Sequence, residues 1–293
     1  MRQFFLDTTG GLPRPGDEVT LDAEESHHLF TVLRGGRQTR LHLVDGRGHR
    51  LVAEFRDRAG RGGKLAGLRV VDIRRDEDEL AVPRLVLACA VVKGRRFEWL
   101  LEKAVEIGVH HLWPLASERG VVEPGAGRRQ RWQHILQAAL KQSGRALLPE
   151  LAEPCPLADC LDRLAGVPAY YGAAPAGDED DDGGMGAEGG ETIGDETASD
   201  ETAGHETAGD ETAGDEVTPR LWTDLLSARP EPLPERLAVL IGPEGGWSAG
   251  ENGQLRAAGL APLDLGPHVL RTETAAVAGV LALQGLRRAW RRV

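Results

Sequence analysis

The sequence predicts an α/β protein, with a small β-barrel over residues 1–74 and a parallel-sheet domain over residues 84–293. Three observations carry that prediction. Continuous apolar runs alternate with segments of helical periodicity from Arg84 onward. The first 74 residues hold short alternating runs punctuated by Gly and Arg. Two glycine-bearing peptides, Ile241-Gly-Pro-Glu-Gly-Gly-Trp247 and Leu265-Gly-Pro-His-Val-Leu-Arg-Thr-Glu-Thr-Ala275, each close a short apolar run. In α/β sheets the loops beyond the carboxyl ends of the strands hold cofactors, so two such loops imply one pocket.

The N-terminal strands are expected at Glu18–Leu21, Arg40–Val44, Arg50–Phe55 and Lys64–Ile73. Between the first two lies Ser26-His-His-Leu-Phe-Thr-Val-Leu-Arg34, whose Leu29, Val32 and Leu33 fall at helical spacing. One helix therefore plugs or flanks the barrel. The charged run Arg74–Glu79, closed by Pro83, marks a linker over 75–83. Arg84–Val92 reads as a strand covered on both faces. Phe97–Ile107 reads as a helix stopped by Gly108, with Phe97, Leu100, Leu101, Ala104 and Val105 on one face.

Strand His111–Leu115, helix Arg128–Ser143 and strand Ala169–Tyr171 follow. Beyond residue 218 come strand Leu237–Ile241, helix Ala249–Ala258, strand Leu263–Leu265 and a helix from Thr274. That last helix is apolar all round over Ala275–Leu283, which predicts burial on every side, against its own sheet and against a second copy of the chain.

The formal charge of −11 is unevenly spread. Asp178 to Glu216 carries sixteen of the 46 acids and no Lys or Arg, leaving 30 acids against 35 bases, a balance of +5, elsewhere. That sign suits a phosphate-binding surface. The acidic tract repeats Glu-Thr-Ala-Gly-Asp and close variants from Glu191 to Asp215 and is nearly free of apolar side chains. It cannot bury enough surface to offset its ordering entropy, so 176–218 is expected to be a disordered insertion. No run approaches the length of a membrane span and no signal peptide stands at Met1, so the cytoplasm is the expected compartment. Three cysteines, without a Cys-x-x-Cys pair or His at zinc spacing, indicate neither a disulfide framework nor a metal site.

Gly242-Pro-Glu-Gly-Gly246 lacks the Gly-Lys-Ser/Thr of a phosphate loop and is not Gly-x-Gly-x-x-Gly. Alone it fits a generic turn as well as a ligand loop. Arg271 and Glu273 place opposite charges at a helix N-terminus beside it. Glu273 suits the helix dipole, whereas a cation there is unfavourable unless something anionic needs it.

Taken together, "IGPEGGW", "LGPHVLRTETA", "KGRRFEWLLEKAVEIGVHHLWPLASERG", "AALKQSGR" and "HHLFTVLR" resemble the RsmE family, the 16S ribosomal RNA (uracil-N3)-methyltransferases of the SPOUT class. The resemblance spans nearly all of the chain outside the acidic insertion. It implies a C-terminal trefoil knot, an N-terminal RNA-binding barrel of PUA type, and S-adenosylmethionine bound in a homodimer. The cofactor would lie against Ile241, Gly242, Glu244, Gly245, Gly246, Leu265, Gly266, Leu270 and Thr272, with Tyr171 and Gly172 as a third wall. Contacts to 16S rRNA or the small ribosomal subunit would come from His27, His28, Arg34, Lys93 and Arg145. Each His fits a structural role equally well. Gly120 and Ala138 depart from the family pattern, which commonly has Ser and an acid there.

The implied reaction moves a sulfonium methyl to uracil N3, which must lose its proton. Arg271 is the candidate for stabilising the resulting anion and Glu273 the candidate base. Ribose 2′-O-methylation and a non-catalytic RNA-binding assembly role remain as alternatives.

Overall fold

The computed structural model describes residues 3–32, 40–120, 126–173, 220–221, 225 and 229–291. The expected insertion at 176–218 and Arg34 lie outside them. The first sheet is built from β1 (Gln3–Phe5), β2 (Glu18–Thr20), β3 (Arg40–Val44), β4 (His49–Ala59) and β5 (Leu65–Arg75), in the order β1-β3-β4-β5-β2. Period-two alternation turns Leu41, Leu43, Leu51, Ala53, Ala66, Leu68 and Val70 to one face, against Leu29 of α1 (Ala23–Val32). Ser26 pins that helix: its hydroxyl donates to the Leu21 carbonyl at 3.1 Å and accepts from the Ala66 amide at 2.9 Å. Phe4, from one edge, and Leu21, beside the other, share this core, so the sheet curls over α1. Among the described residues no ladder joins β1 to β2, so hydrogen bonding does not close the expected barrel.

The predicted linker contains a short helix, α2 (Glu77–Leu80), capped by the Asp76 side chain. Its Glu79 ties the two sheets together. The Glu79 carboxylate accepts from Arg50 at 3.1 Å, Arg145 at 3.2 Å, and the Ala146 and Leu147 amides at 2.9 Å each. A second ion pair, Glu25 with Lys141, joins α1 to the other half of the molecule.

The second sheet is parallel throughout. Its strands are β6 (Arg84–Ala90), β7 (His111–Ala116), β8 (Glu150–Leu151), β9 (Cys155–Pro156), β10 (Ala169–Gly172), β11 (Arg220–Leu221), β12 (Arg236–Ile241) and β13 (Ala261–Asp264). The order is β11-β13-β10-β12-β6-β7-β8, with β9 paired to β7. Leu85, Leu87, Val239 and Ile241 face α3 (Arg95–Glu106), α4 (Ala126–Ser143) and α7 (Thr272–Arg291). The intervening Val86, Ala88, Ala238 and Leu240 face α5 (Leu157–Arg163) and α6 (Ala249–Ala257). Both sides are covered, as the continuous apolar runs require.

Several elements depart from expectation. β13 begins at Ala261 and ends at Asp264, which releases Leu265 into the loop, and α7 starts at Thr272 because the Arg271 carbonyl already accepts from the Ala275 amide at 2.8 Å. The two-residue strands β8 and β9 and the one-turn α2 were too short to show a period. Among the described residues α7 is not covered all round. Ala276, Val280, Leu283 and Leu286 are packed, but Thr274, Leu281 and Arg288 form an exposed stripe, with Leu281 52% exposed.

His110 is buried at the junction and neutral. Its Nδ1 accepts from the Leu85 amide at 3.1 Å and its Nε2 donates to the Glu79 carbonyl at 3.0 Å. Burial, followed by the nearby Arg145 and Arg287, pushes its pKa down from 6.5 to about 3. Between those values the unfolded chain holds a proton that the native chain refuses, so stability is complete above pH 6.5 and falls as the pH drops. His110→Gln, which removes the titrating ring, is expected to flatten denaturation-derived stability between pH 7 and 4, where the wild type loses up to about 1.4 kcal/mol per pH unit from this group. Glu79→Ala strips the buried Arg145 of its anion and is expected to lower the unfolding free energy by about 3–5 kcal/mol in urea titrations.

Candidate functional site: three loops at one sheet edge

β10 lies between β12 and β13, in register Tyr171 with Leu240 on one side and Gly172 with Leu263 on the other. Three strands therefore deliver their carboxyl ends side by side. The loops they feed are Gly172 onward, Gly242–Trp247 and Leu265–Arg271. β6 runs beside β12 with Cys89 opposite Ile241, so Lys93 and the start of α3 rise at the same edge.

Bare backbone is required where these loops meet. A Cβ on Gly172 would lie 3.1 Å from Ile241 Cδ1 and 3.4 Å from Leu265 Cδ1. One on Gly242 would lie 3.0 Å from the Trp247 ring. Trp247 is itself buried and its Nε1 donates to the Gly172 carbonyl at 3.3 Å, closing the second loop onto the first. Thr272 ties in the third, its hydroxyl donating to the Gly242 carbonyl at 3.1 Å. Gly266 has φ +122°, a conformation that favours glycine, and its amide donates to the Asp264 carboxylate at 2.7 Å. Leu265 and Leu270 are half-buried beside it. Tyr171 contributes backbone here, since its side chain packs into the core on the α5 and α6 face.

Charged groups brace the glycine turn from outside. Glu244 forms an ion pair with Arg96 of α3. Arg119 donates to the Gly245 carbonyl at 2.7 Å, while Gly246 is exposed with φ +68°. Glu251, 2% exposed, accepts from the Ser248 and Glu118 amides at 2.9 Å each. The first of those bonds belongs to a capping box whose Ser-x-x-Glu signature is legible in the sequence. Arg119, Trp247 and Glu251 were not among the expected site residues. Only Glu251 carried a local signal, because the others act across the sheet edge.

The two expected catalytic residues face different surroundings. Arg271 is exposed, and its guanidinium has no hydrogen-bond or ion-pair partner among the described residues. Glu273 is 8% exposed, and its Oε2 is buried without a hydrogen-bond partner among the described residues. Its charge also reaches Cys89, whose thiol is held strongly protonated first by burial and then by Glu273 and Glu244. Cys155 and Cys160 are likewise free and buried, and burial pushes Cys160 up to about 12.

Of the expected RNA contacts, His27 and His28 are exposed on α1 and Lys93 is exposed beyond β6. Arg145 is a correction. It is 7% exposed and donates to the Val105 and Val109 carbonyls at 3.0 and 2.8 Å as well as to Glu79, so its guanidinium is committed to the interior. A basic residue beside a helix end looks the same in sequence whether it serves solvent or those carbonyls.

The model of the RNA methyltransferase domain matches residues 78–180 and 213–284. The chain belongs to this RNA methyltransferase family. The gap between the matched segments, 181–212, falls within the acidic tract Asp178–Glu216, and the match takes in the second sheet but not the first. Ribosomal RNA small subunit methyltransferase E of Synechocystis sp. is 27% identical over 270 residues, covering 92% of this chain and 73% of that protein. The structure of ribosomal RNA small subunit methyltransferase E from Neisseria gonorrhoeae, bound to S-adenosylmethionine, is 24% identical with a TM-score of 0.71, covering 98% of each chain. A Legionella pneumophila methyltransferase structure holding the same cofactor is 25% identical with a TM-score of 0.68, covering 97% of this chain and 96% of that one. The motifs and the comparisons thus converge on one RNA methyltransferase family. No helix among the described residues is long and apolar enough to cross a membrane.

Proposed function

We propose that the protein transfers the methyl group of S-adenosylmethionine to N3 of a uridine in 16S rRNA, acting as a homodimer in the cytoplasm. The observation that carries this reading is the glycine cradle with an open carboxylate at its rim. Gly172 and Gly242 let Ile241, Leu265 and Trp247 close directly onto main chain, which draws the three loops together, and Glu273 Oε2 is buried without a protein partner among the described residues. An adenine needs an apolar slot edged by backbone polar groups, which Ile241, Leu265 and Leu270 beside the glycines supply. S-adenosylmethionine carries no phosphate, so the missing phosphate-loop lysine is no obstacle. The remaining cradle positions, Glu244, Gly245, Gly246, Gly266 and Thr272, shape the loops around it, with Tyr171 as backbone wall.

When bound, the cofactor supplies an electrophilic methyl group. Everything else falls to the chain. Uracil N3 lies on the pairing edge, so the base must enter unpaired or flipped. In this reading Glu273 takes the imide proton, a role supported by its buried Oε2, which has no partner among the described residues. In the same reading Arg271 stabilises negative charge as it spreads to O2 or O4, a role supported by its exposed guanidinium without a partner among the described residues. Holding base and cofactor together supplies much of the remaining rate.

The same reading makes the curled first sheet, residues 1–74, the PUA-like RNA-binding module, with His27 and His28 presented on α1 and Lys93 beyond β6. Residues 75–83 are its junction with the SPOUT domain at 84–293. The trefoil knot is supported by β12 entering between β6 and β10, with β13 outside β10. The homodimer is supported by Leu281, exposed on α7 among half-buried Ala275, Val277 and Ala278.

Two experiments follow. Labelled methyl transfer to unmodified 16S rRNA and small-subunit particles, followed by nuclease digestion and mass spectrometry, should place the label on a uracil base. A ribose label would overturn the proposed chemistry. In that assay Arg271→Ala and Glu273→Gln are each expected to slow single-turnover transfer about 100-fold or more with little change in cofactor affinity. Leu281→Glu is expected to shift the protein from dimer to monomer in sedimentation, and an unchanged dimer would remove α7 from the interface.

A further inference from the structure

A cavity of about 320 Å³ opens between the first turns of α3 and α4, beside the glycine cradle but separate from it. That volume is at the lower end of the roughly 300–1,000 Å³ typical of small-ligand sites. Phe97 and Trp132, rings 4.7 Å apart and both almost wholly buried, form its apolar base. Its rim carries Arg95, Arg128 and Arg131 against a single acid, Glu98. Arg131 is held by Glu98 at 2.7 Å. Arg95 and Arg128 are exposed and have no hydrogen-bond or ion-pair partner among the described residues.

An apolar floor beneath two uncommitted guanidinium groups matches one kind of ligand well. A nucleotide has an uncharged face for the floor and a phosphate for the rim. The location adds to this. Arg95 lines the cavity, while the next residue, Arg96, pairs with Glu244 of the glycine turn. One helical turn of α3 therefore touches both places. We infer that this cavity is a second nucleotide subsite, holding a residue of the substrate RNA that flanks the one methylated. The inference rests on the methyltransferase reading for the identity of the RNA, but not for the binding itself. It also gives Arg95 and Arg128 a role different from that of His27, His28 and Lys93: they hold a defined nucleotide near the reacting base.

The test uses the full chain. Arg95→Ala/Arg128→Ala is compared with wild type by filter binding to unmodified 16S rRNA over a range of salt concentrations. The expected result is an affinity loss of at least about tenfold. The slope of log affinity against log salt should shrink by roughly 1.4, two single-strand phosphate contacts at about 0.7 each. Calorimetric affinity for S-adenosylmethionine and the melting temperature should stay at wild-type values, because both side chains are exposed and outside the cradle. Ultraviolet crosslinks from wild type should fall on peptides containing Phe97 or Trp132. Arg128→Lys should recover part of the lost affinity, as a phosphate contact allows.

Wild-type affinity and salt slope in the double variant, with methyl transfer intact, would overturn the subsite and leave the proposed reaction standing. The opposite pattern, RNA affinity lost in the variant while the wild type transfers no methyl group, would support the subsite and overturn the reaction.

Discussion

The parallel pairing of β6 with β12, six residues in register from Arg84 with Arg236 to Cys89 with Ile241, is the constraint on which the rest depends. These two strands lie at the centre of the second sheet and are buried on both faces, so helices must cover each side. The alternation is strict: odd-numbered residues of both strands enter one core and even-numbered residues the other. With β12 held there, β10 and β13 can add only on its far side. Their loops then open at the edge where the glycine turn leaves β12.

Close approach of backbone at that edge explains the placement of charge. Trp247 fills the space over Gly242 and tethers Gly172, so the cradle is walled by apolar groups and main chain. Ionic groups stay outside as braces, Arg96 on Glu244 and Arg119 on Gly245, where water and partners satisfy them. Glu273 is the exception, a carboxylate drawn inward at the start of α7. Peptide dipoles at a helix N-terminus favour an anion there. There the Glu273 Oε2 is buried without a hydrogen-bond partner among the described residues, whereas buried polar atoms in folded proteins are ordinarily paired.

The junction between the two sheets works on the opposite principle. Glu79 satisfies each of its carboxylate oxygens with a backbone amide and an arginine, and Arg287 donates to the Asp78, Ala81 and Pro83 carbonyls nearby. A polar network completed in this way fixes one arrangement, because removing any member strands the others. Arg145 belongs to this network, which is why its place beside a helix end misled the reading of it as an RNA contact.

Much of this was legible from residue order. The apolar runs of β6 and β12, the amphipathic face of α3 and the glycines of the two loops are local patterns with local causes, and the motifs that carry the family resemblance sit within them. The alternation of the N-terminal strands and the helix set against them were equally plain, though the strand order β1-β3-β4-β5-β2 was not. Tertiary structure decided what no window of sequence contains: that β10 would lie between β12 and β13, that Trp247 would close on Gly172, that Arg271 would stand free while Glu273 turned inward. Those outcomes depend on which distant segments share a register, and register is chosen by the packing of whole faces rather than by any residue's own preference.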